Sequence, residues 1–476
     1  MTRYDVAIVG CGPVGLTLSH LLGKQGLKVV CLEREPEAAH LPRAGHVDAE
    51  ALRVWQAAGV EKPALTALSE SVGFDMRDEA GEILVEYKVP PGIGPYGWPH
   101  DFSLKQPTLE HALRGCLPDT VDLRVGVEVT AIDQDADGVT VTYAGGSLTA
   151  GYVVGCDGGS SFTRKSMGSA FEVLGPDDPY LVIDAELTDS SLRLEPGGHL
   201  YATPARPHYL RVSGTTLRWE FKVLPGDDTA ELTRPETVHR MLEPWVGPDQ
   251  IVLERAVVYV FHSLLADQWR RGRVLLAGDA AHLQPPFHGQ GLCSGIRDVA
   301  NLSWKLAQVV RGEATDALLD TYQSERAPHA REWIVEATAL GALVQTTDPV
   351  VARERDAKLR AGDRGALRPI RPVLGPGVRQ NPGSAHDGTL SIQPWLAGGA
   401  LLDDVVGFRY AVAATEDTLR GVDTGDAVII DEPGTLLDHY GTHAVVIRPD
   451  RYVLGTAEDP AGLQALLDEA DRFSHR

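Results

Sequence analysis

The chain has 476 residues, of which 43% are hydrophobic and 23% charged, and its net charge is −22. That length exceeds what one core serves, so two or three domains are expected. The acidic balance argues against a nucleic-acid partner, which calls for a basic patch, and no apolar run is long enough to cross a membrane.

The first predicted unit is "YDVAIVGCGPVGLTLSHLLGKQGLKVVCLERE". Tyr4 to Val9 reads as a buried parallel strand, Pro13 to Gln25 as a helix closed by Gly26, and Leu27 to Glu33 as a second strand. The apolar start imitates a secretory leader, but Asp5 interrupts it and Arg3 is its only positive charge, so a leader is not expected. From Val121 to Val154 the pattern alternates, with Asp137-Gly138 expected as a tight hairpin turn. Tyr180 to Leu187 and His199 to Val223 continue as strands of a separate sheet. "GRVLLAGDAAHLQPPFHGQGLCSGIRDVANLSWKLAQVV" then repeats strand, turn and helix, the helix beginning near Leu292. Residues 349–388 are rich in Arg, Pro and Gly and read as a linker draped over a surface. After it, "AVVIRPDRYVLGTAEDPAGLQALLDEA" reads as a hairpin and terminal helix.

Three stretches carry chemistry. Gly10, Gly12 and Gly15 form G-x-G-x-x-G at a strand-to-helix turn, with Pro13 opening the helix. Glu33 lies where a carboxylate accepts hydrogen bonds from a ribose diol. This unit binds a dinucleotide, but by itself it does not choose between nicotinamide and flavin. "CDGGSSFTRK", with Asp157, Gly158 and Arg164, reads equally as a strand-end turn. Gly278-Asp279 ends a buried strand, and "PPFHGQG" breaks the chain before a helix whose free N–H groups favour negative charge. The five cysteines, Cys11, Cys31, Cys116, Cys156 and Cys293, show no CxxC or metal spacing, and their odd number fits a reducing cytoplasm. No histidine pattern suggests a metal site.

In order and spacing these three motifs resemble the single-component FAD-dependent aromatic hydroxylases of the para-hydroxybenzoate hydroxylase type. "LPRAGHVDAEALRVWQAAGV", "QPTLEHALR", "RWEF" and "GQGLCSGIRDVANLSWKL" are most similar to 3-(3-hydroxyphenyl)propionate hydroxylases and their relatives. The resemblance implies an α/β fold. It comprises a Rossmann-like FAD-binding domain of glutathione-reductase type (1–75, 100–178 and 268–348), an inserted mixed β-sheet substrate domain (76–99 and 179–267), the 349–388 linker, and a thioredoxin-like α/β module (389–476). No CxxC in that last module implies no disulfide chemistry there.

The resemblance also implies roles, residue by residue. Gly10, Gly12, Pro13, Gly15, Glu33 and Arg34 belong with the ADP half of FAD. Arg43 and Gln106 match pyrophosphate or ribityl contacts, with Arg114 a weaker candidate, and Asp157 matches a motif tied to both FAD and NAD(P)H. Gly278 and Asp279 belong at the ribityl or phosphate region. Pro286, Gly289, Gly291, Leu292 and Cys293 belong beside the isoalloxazine. The implied reaction is hydroxylation of a phenol through a flavin C4a-hydroperoxide, with O2 and transient NADH or NADPH as co-substrates. His288, Pro286, Tyr209 and Arg218 are the candidate catalytic residues. Arg211 and Trp219 share the strands of that sheet, where half the side chains must face away. His46 either faces the flavin or belongs to a polar helix start. The expected setting is cytoplasmic, without membrane or nucleic acid, and a homodimer is the assembly considered. Two alternatives stay open: a flavoprotein of the same fold with non-hydroxylating redox chemistry, and a non-catalytic aromatic-binding flavoprotein.

Overall fold

The computed structural model describes residues 3–37, 43–363, 365–367, 370–380 and 383–475. Positions 1, 2, 38–42, 364, 368, 369, 381, 382 and 476 of the stretches considered above lie outside them.

The apolar opening residues form the strand Arg3–Val9, which is the centre of an eight-stranded sheet. It pairs in parallel with Val29–Glu33 on one side and Gly146–Gly155 on the other. Val121–Val125 and Val274–Leu276 extend the sheet outward, also in parallel. Parallel strands need crossover connections, and helices Pro13–Lys24 and Gly291–Val310 pack against one another over this sheet. Val6, Ala7, Ile8, Val29, Val30 and Cys31 are buried completely, which explains their unbroken apolar run.

The second sheet has seven strands, in the order Ile251–Phe261, Asp178–Leu187, Thr216–Lys222, His208–Ser213, Gly197–Tyr201, Gly73–Arg77 and Ile83–Lys88. Every pairing is antiparallel except that of Gly197–Tyr201 with Gly73–Arg77. Alternation divides its side chains cleanly. Leu181, Ile183, Leu210, Val212, Leu217, Trp219 and Phe221 enter a core with Val238 and Leu242 of helix Pro235–Leu242. Tyr180, Val182, Asp184, Tyr209, Arg211, Arg218 and Glu220 take the opposite face and line a cavity. Near the C-terminus, Val428–Ile429, Ala411–Ala414, Ala444–Ile447 and Val453–Ala457 make a four-stranded sheet with an apolar cluster on each face.

Three expectations are corrected. Within the stretch read as a linker, Pro349–Arg360 is a helix. Asp348 caps it and Pro349 occupies the first turn, where a missing N–H is harmless, so the proline starts the element instead of breaking it. Arg355 of this helix is buried and donates to the Ala202 carbonyl at 2.6 Å, while Leu374 and Val378 further on are also buried. Second, the reversal expected at Asp137-Gly138 spans Asp135 to Gly138: the Asp135 carboxylate accepts the N–H groups of Asp137 and Gly138 at 2.8 and 3.0 Å. A side chain thus replaces the left-handed glycine that a two-residue turn requires. Third, Cys11 and Cys31, read as unrelated thiols, form a disulfide with Cα atoms 6.2 Å apart. The parallel register that sets Ile8 opposite Cys31 brings the turn residue Cys11 beside it.

Candidate functional site

A cavity of about 2680 Å³ is lined at one end by Gly12, Pro13, Glu33 and Arg34. Asp157, Asp279, Pro286 and Gly289 line it as well, as does the polar face of the second sheet.

At the first end, Gly10 has φ +94° and presses against the next strand, so a Cβ there would meet the Cys156 carbonyl oxygen at 2.5 Å. A Cβ on Gly15 would lie 2.0 Å from the Gly10 oxygen, whereas one on Gly12 would meet nothing within 4 Å. The two outer glycines therefore close the turn, and the middle one leaves it open to a ligand. Gly12 also gives helix Pro13–Lys24 no side-chain cap. Glu33 accepts the Cys11 N–H at 2.8 Å and the Glu35 N–H at 3.0 Å, fixing its carboxylate beside that turn. Arg34 is exposed at the cavity edge and pairs with Glu35.

Gln106 works through the backbone: its Oε1 accepts the N–H groups of Arg43 and Ala44 at 3.0 and 2.8 Å. Arg114 reaches the Cys11 carbonyl at 3.5 Å, and its buried Nε has no partner among the described residues. Asp157 is largely occupied by its own loop, accepting from Ser161 and from both the N–H and hydroxyl of Thr163.

Gly278 and Asp279 leave strand Val274–Leu276 in a tight turn anchored by Asp298, which accepts the Gly278 N–H at 3.0 Å, His282 at 2.7 Å and Arg326 at 3.0 Å. Asp279 lines the cavity; desolvation raises its carboxyl, opposed by His282 and Arg43. Pro286 and His288 follow in a short turn, and Gly289, at φ +65°, packs so tightly on the His46 ring that a Cβ would lie 3.1 Å away. His46 is a strand residue between the Gly289 carbonyl (3.2 Å) and Asp101 (3.0 Å); Asp48 is the helix cap. The Gln290 side chain does not cap helix Gly291–Val310, and Gly291 and Leu292 of its first turn line the cavity. Cys293 lies buried behind that turn, its thiol pushed well up by desolvation. His288 turns toward helix Asp320–Val344, edge-on to Trp333 at 5.7 Å, and burial pushes it down despite a hydrogen bond to the Glu336 backbone.

On the sheet face, Arg218 binds Asp184 at 2.7 Å and the Arg43 carbonyl at 3.1 Å, tying the sheet to the Arg43–Gly45 loop. Arg255 holds the other oxygen of Asp184. Tyr209 and Glu220 are cross-strand partners, as are Arg211 and Arg218. Trp219, by contrast, faces the core with no exposure. The residues missed from the sequence are Glu220, Asp184, Arg255 and Trp333. Glu220 stands in the quoted "RWEF", two positions from Arg218 and hence on the same face. Asp75, Glu195 and His199 lie close enough to share an ion, but Arg77 bridges Asp75 and Glu195 and supplies the cation there.

Residues 3–337 match the family model described as "FAD binding domain". A Rhodococcus jostii protein named "Probable NADH-specific resorcinol 4-hydroxylase" is 35% identical, the match covering 98% of this chain and 94% of that one. A 3-(3-hydroxy-phenyl)propionate/3-hydroxycinnamic acid hydroxylase of Mycolicibacterium smegmatis is also 35% identical, over 95% of this chain and 90% of the relative. The chain belongs to the FAD-dependent aromatic hydroxylases. Among solved structures, aklavinone-11 hydroxylase with FAD and aklavinone superposes with a TM-score of 0.79 at 23% identity, covering 98% of each chain, which shows the shared fold.

The flavoprotein's residues fit FAD. The open Cβ direction of Gly12, two helix N-termini without side-chain caps and the Glu33 carboxylate border one continuous cavity, as a dinucleotide requires. Among the described residues no helix is long and apolar enough to cross a membrane.

Proposed function

We propose that this chain hydroxylates a phenolic aromatic compound, using FAD, O2 and NADH or NADPH. The observation that carries the reading is the continuity of one cavity from the Gly10–Gly15 turn, through the Pro286–Gly291 turn, to a polar and aromatic sheet face. Relatives named for resorcinol and hydroxyphenylpropionate support a phenolic substrate class.

In this reading Glu33 accepts the adenosine ribose hydroxyls, and the N-terminus of helix Pro13–Lys24 faces the pyrophosphate. Asp279 meets the ribityl region, and Pro286, Gly289, Gly291 and Leu292 border the ring. Bound and reduced, the flavin supplies activation of O2 and delivery of one oxygen atom. The chain orients the arene against that ring, excludes water and manages the phenolic proton. Pro286 shapes the turn, Arg218 and Gln106 hold the Arg43 loop in place, and Tyr209 lines the substrate chamber. His288 borders the chamber but is turned toward Trp333, so its role is in packing. The eight-stranded sheet forms the FAD domain, the seven-stranded sheet the substrate domain, and the last sheet a thioredoxin-like module.

The test is NADH and NADPH consumption by purified holoenzyme over resorcinol, 3-(3-hydroxyphenyl)propionate, hydroxybenzoates and polycyclic phenols. A product carrying one added oxygen, in step with consumption, is expected. Oxidation that yields only hydrogen peroxide with every arene would overturn the reading in favour of a non-hydroxylating flavoprotein.

A further inference from the structure

The cavity face of the second sheet carries two carboxylates in unequal circumstances. Asp184 is saturated, gripped by Arg218 through one oxygen and by Arg255 through the other. Glu220 accepts no hydrogen bond from the described residues, and its nearest cation is Arg218 at 3.9 Å. Strand register fixes where it stands: opposite Tyr209 on one side and Val182 on the other, with Tyr180 diagonal to it. Tyr180 in turn meets Phe287 of the Pro286–His288 turn, ring centroids 6.4 Å apart. Glu220 is therefore on the wall that faces the proposed ring site, and it opens onto the cavity.

One strand away on the same face lies Arg211. No carboxylate among the described residues lies within ion-pair distance of it, and its guanidinium also opens onto the cavity. A buried cation without a counter-charge is costly, and an anion entering the chamber relieves that cost. A carboxylate that accepts no hydrogen bond from the described residues and a guanidinium with no carboxylate at ion-pair distance thus match the two products of ionising a phenol: a proton and an oxyanion.

We propose that Glu220 is the catalytic base that takes the phenolic proton, and that Arg211 holds the resulting phenolate. This rests on the hydroxylase reading above. The O–H bond of the substrate breaks, its proton passes to a Glu220 carboxylate oxygen, and the electron pair stays on the phenolic oxygen beside Arg211. The ring becomes more electron-rich, which an electrophilic oxygen transfer demands.

The surroundings suit that role. Burial raises the Glu220 carboxyl above its ordinary range, and Asp184 adds to this, while Arg218, Arg211 and Arg255 oppose it. A base moved toward neutrality exchanges protons better than an ordinary surface carboxylate. Burial pushes the Tyr209 phenol up, so Tyr209 keeps its proton, and Lys222 further along the strand is engaged by Asp178 and Gln345.

Holoenzyme is titrated anaerobically with resorcinol and with 3-(3-hydroxyphenyl)propionate across pH, following the phenolate band by ultraviolet difference spectroscopy. Wild type is expected to bind a probe as phenolate at neutral pH, with the band lost in acid as the phenolate is reprotonated. Glu220→Gln is expected to bind with comparable affinity but to show the band only at distinctly higher pH than wild type, toward the phenol's own pKa of about 10. Its product-forming rate falls by about 10²- to 10⁴-fold and recovers as pH rises. An unchanged band and pH profile in Glu220→Gln overturns the proposal. So does a wild-type enzyme that binds both probes as neutral phenols at neutral pH, a result that needs no variant to fold. Wild type that binds neither probe, with no phenol hydroxylated in the consumption test above, removes the phenolic substrate class itself, and the base falls with it.

Discussion

The hydroxyl of Tyr452 donates to Oε1 of Glu50 at 2.7 Å, joining residues 402 positions apart. The other Glu50 oxygen accepts Nε of Arg297, and Arg297 Nη1 reaches Oε1 of Gln290 at 2.8 Å. A buried polar path thus leads from the C-terminal hairpin to the residue that precedes helix Gly291–Val310. Removing a hydrogen bond to a charged group costs about 1.5–3 kcal/mol. Tyr452→Phe should lower the holoenzyme's melting temperature and weaken FAD binding by several-fold, measured by thermal shift and by flavin fluorescence. A lower melting temperature with unchanged FAD affinity would show that the path steadies the fold without steadying the turn.

Arg448, at the tip of the same hairpin, lies between two helices of the first core. It donates to both oxygens of Glu325, at 2.9 and 2.7 Å, and to Asp450 at 3.0 and 2.7 Å. Lys305 and Asn301 complete the cluster around Glu325. Arg448→Met would leave Glu325 with one cation and Asp450 with none of its arginine contacts, a loss of about 3–5 kcal/mol. The unfolding midpoint in urea should drop, and limited proteolysis should cut near the hairpin first. Asp450→Asn in the same background should recover part of the loss. An unaltered midpoint in Arg448→Met would mean that the cluster adds nothing to the docking.

What the sequence discloses depends on how local the cause is. Although Gly10 also answers to Cys156 on a distant strand, the nucleotide turn was legible because its glycine spacing at a strand-to-helix junction is a local signal, and Gly15 answers to the Gly10 oxygen within the turn itself. The same holds for the helix beginning near Leu292. Alternation in "HYLRVSGTTLRWEFKV" revealed two faces but not which one meets a cavity, so Tyr209, Arg211 and Trp219 stood equal until packing separated them. Glu220 was hidden for that reason. Arg448, Asp450 and Arg451 look like an ordinary exposed turn, and only their long-range partners make them interior residues. The Pro349–Arg360 helix was obscured by composition: arginine and proline suggested a surface strap, although Asp348-Pro349 is also a helix start.

Gly12 and Gly15 separate folding from cofactor binding. A Cβ at Gly15 would collide with the Gly10 oxygen at 2.0 Å and crowd Cys156 at 3.3 Å, so Gly15→Ala must open the turn. Overpacking of this kind costs about 1–3 kcal/mol. Gly12 has φ −72° and open space around its Cβ direction, so Gly12→Ala should leave the apoprotein's stability intact while blocking approach of a phosphate. Apoprotein melting and FAD titration should show Gly15→Ala impaired in both and Gly12→Ala in FAD binding alone. Wild-type FAD affinity in Gly12→Ala would remove the pyrophosphate from this turn.

Asp75 and His199 give stability an acid limb and an alkaline limb. His199 Nδ1 meets Asp75 at 2.9 Å and Nε2 meets the Glu195 carbonyl at 2.9 Å, two acceptors that together call for a doubly protonated ring. Burial alone would lower His199, but Asp75 and the Glu195 carbonyl outweigh it and raise the imidazole above its ordinary 6.5. Burial likewise raises Asp75, yet the hydrogen bonds from Arg77 and His199 win and bring it to about 2, below its ordinary 3.8. A depressed carboxyl contributes stability above its unfolded value and loses it as pH falls through the folded one. A raised imidazole contributes fully below its unfolded value and loses it as pH rises through the folded one. Together they favour the interval between 3.8 and 6.5. Urea midpoints measured across pH should therefore decline on both sides, with His199→Gln flattening the alkaline limb. Asp75→Asn should flatten the acid limb and, by removing the partner that holds His199 protonated, shrink the alkaline one as well. An alkaline limb identical in wild type and His199→Gln would assign that decline to other groups.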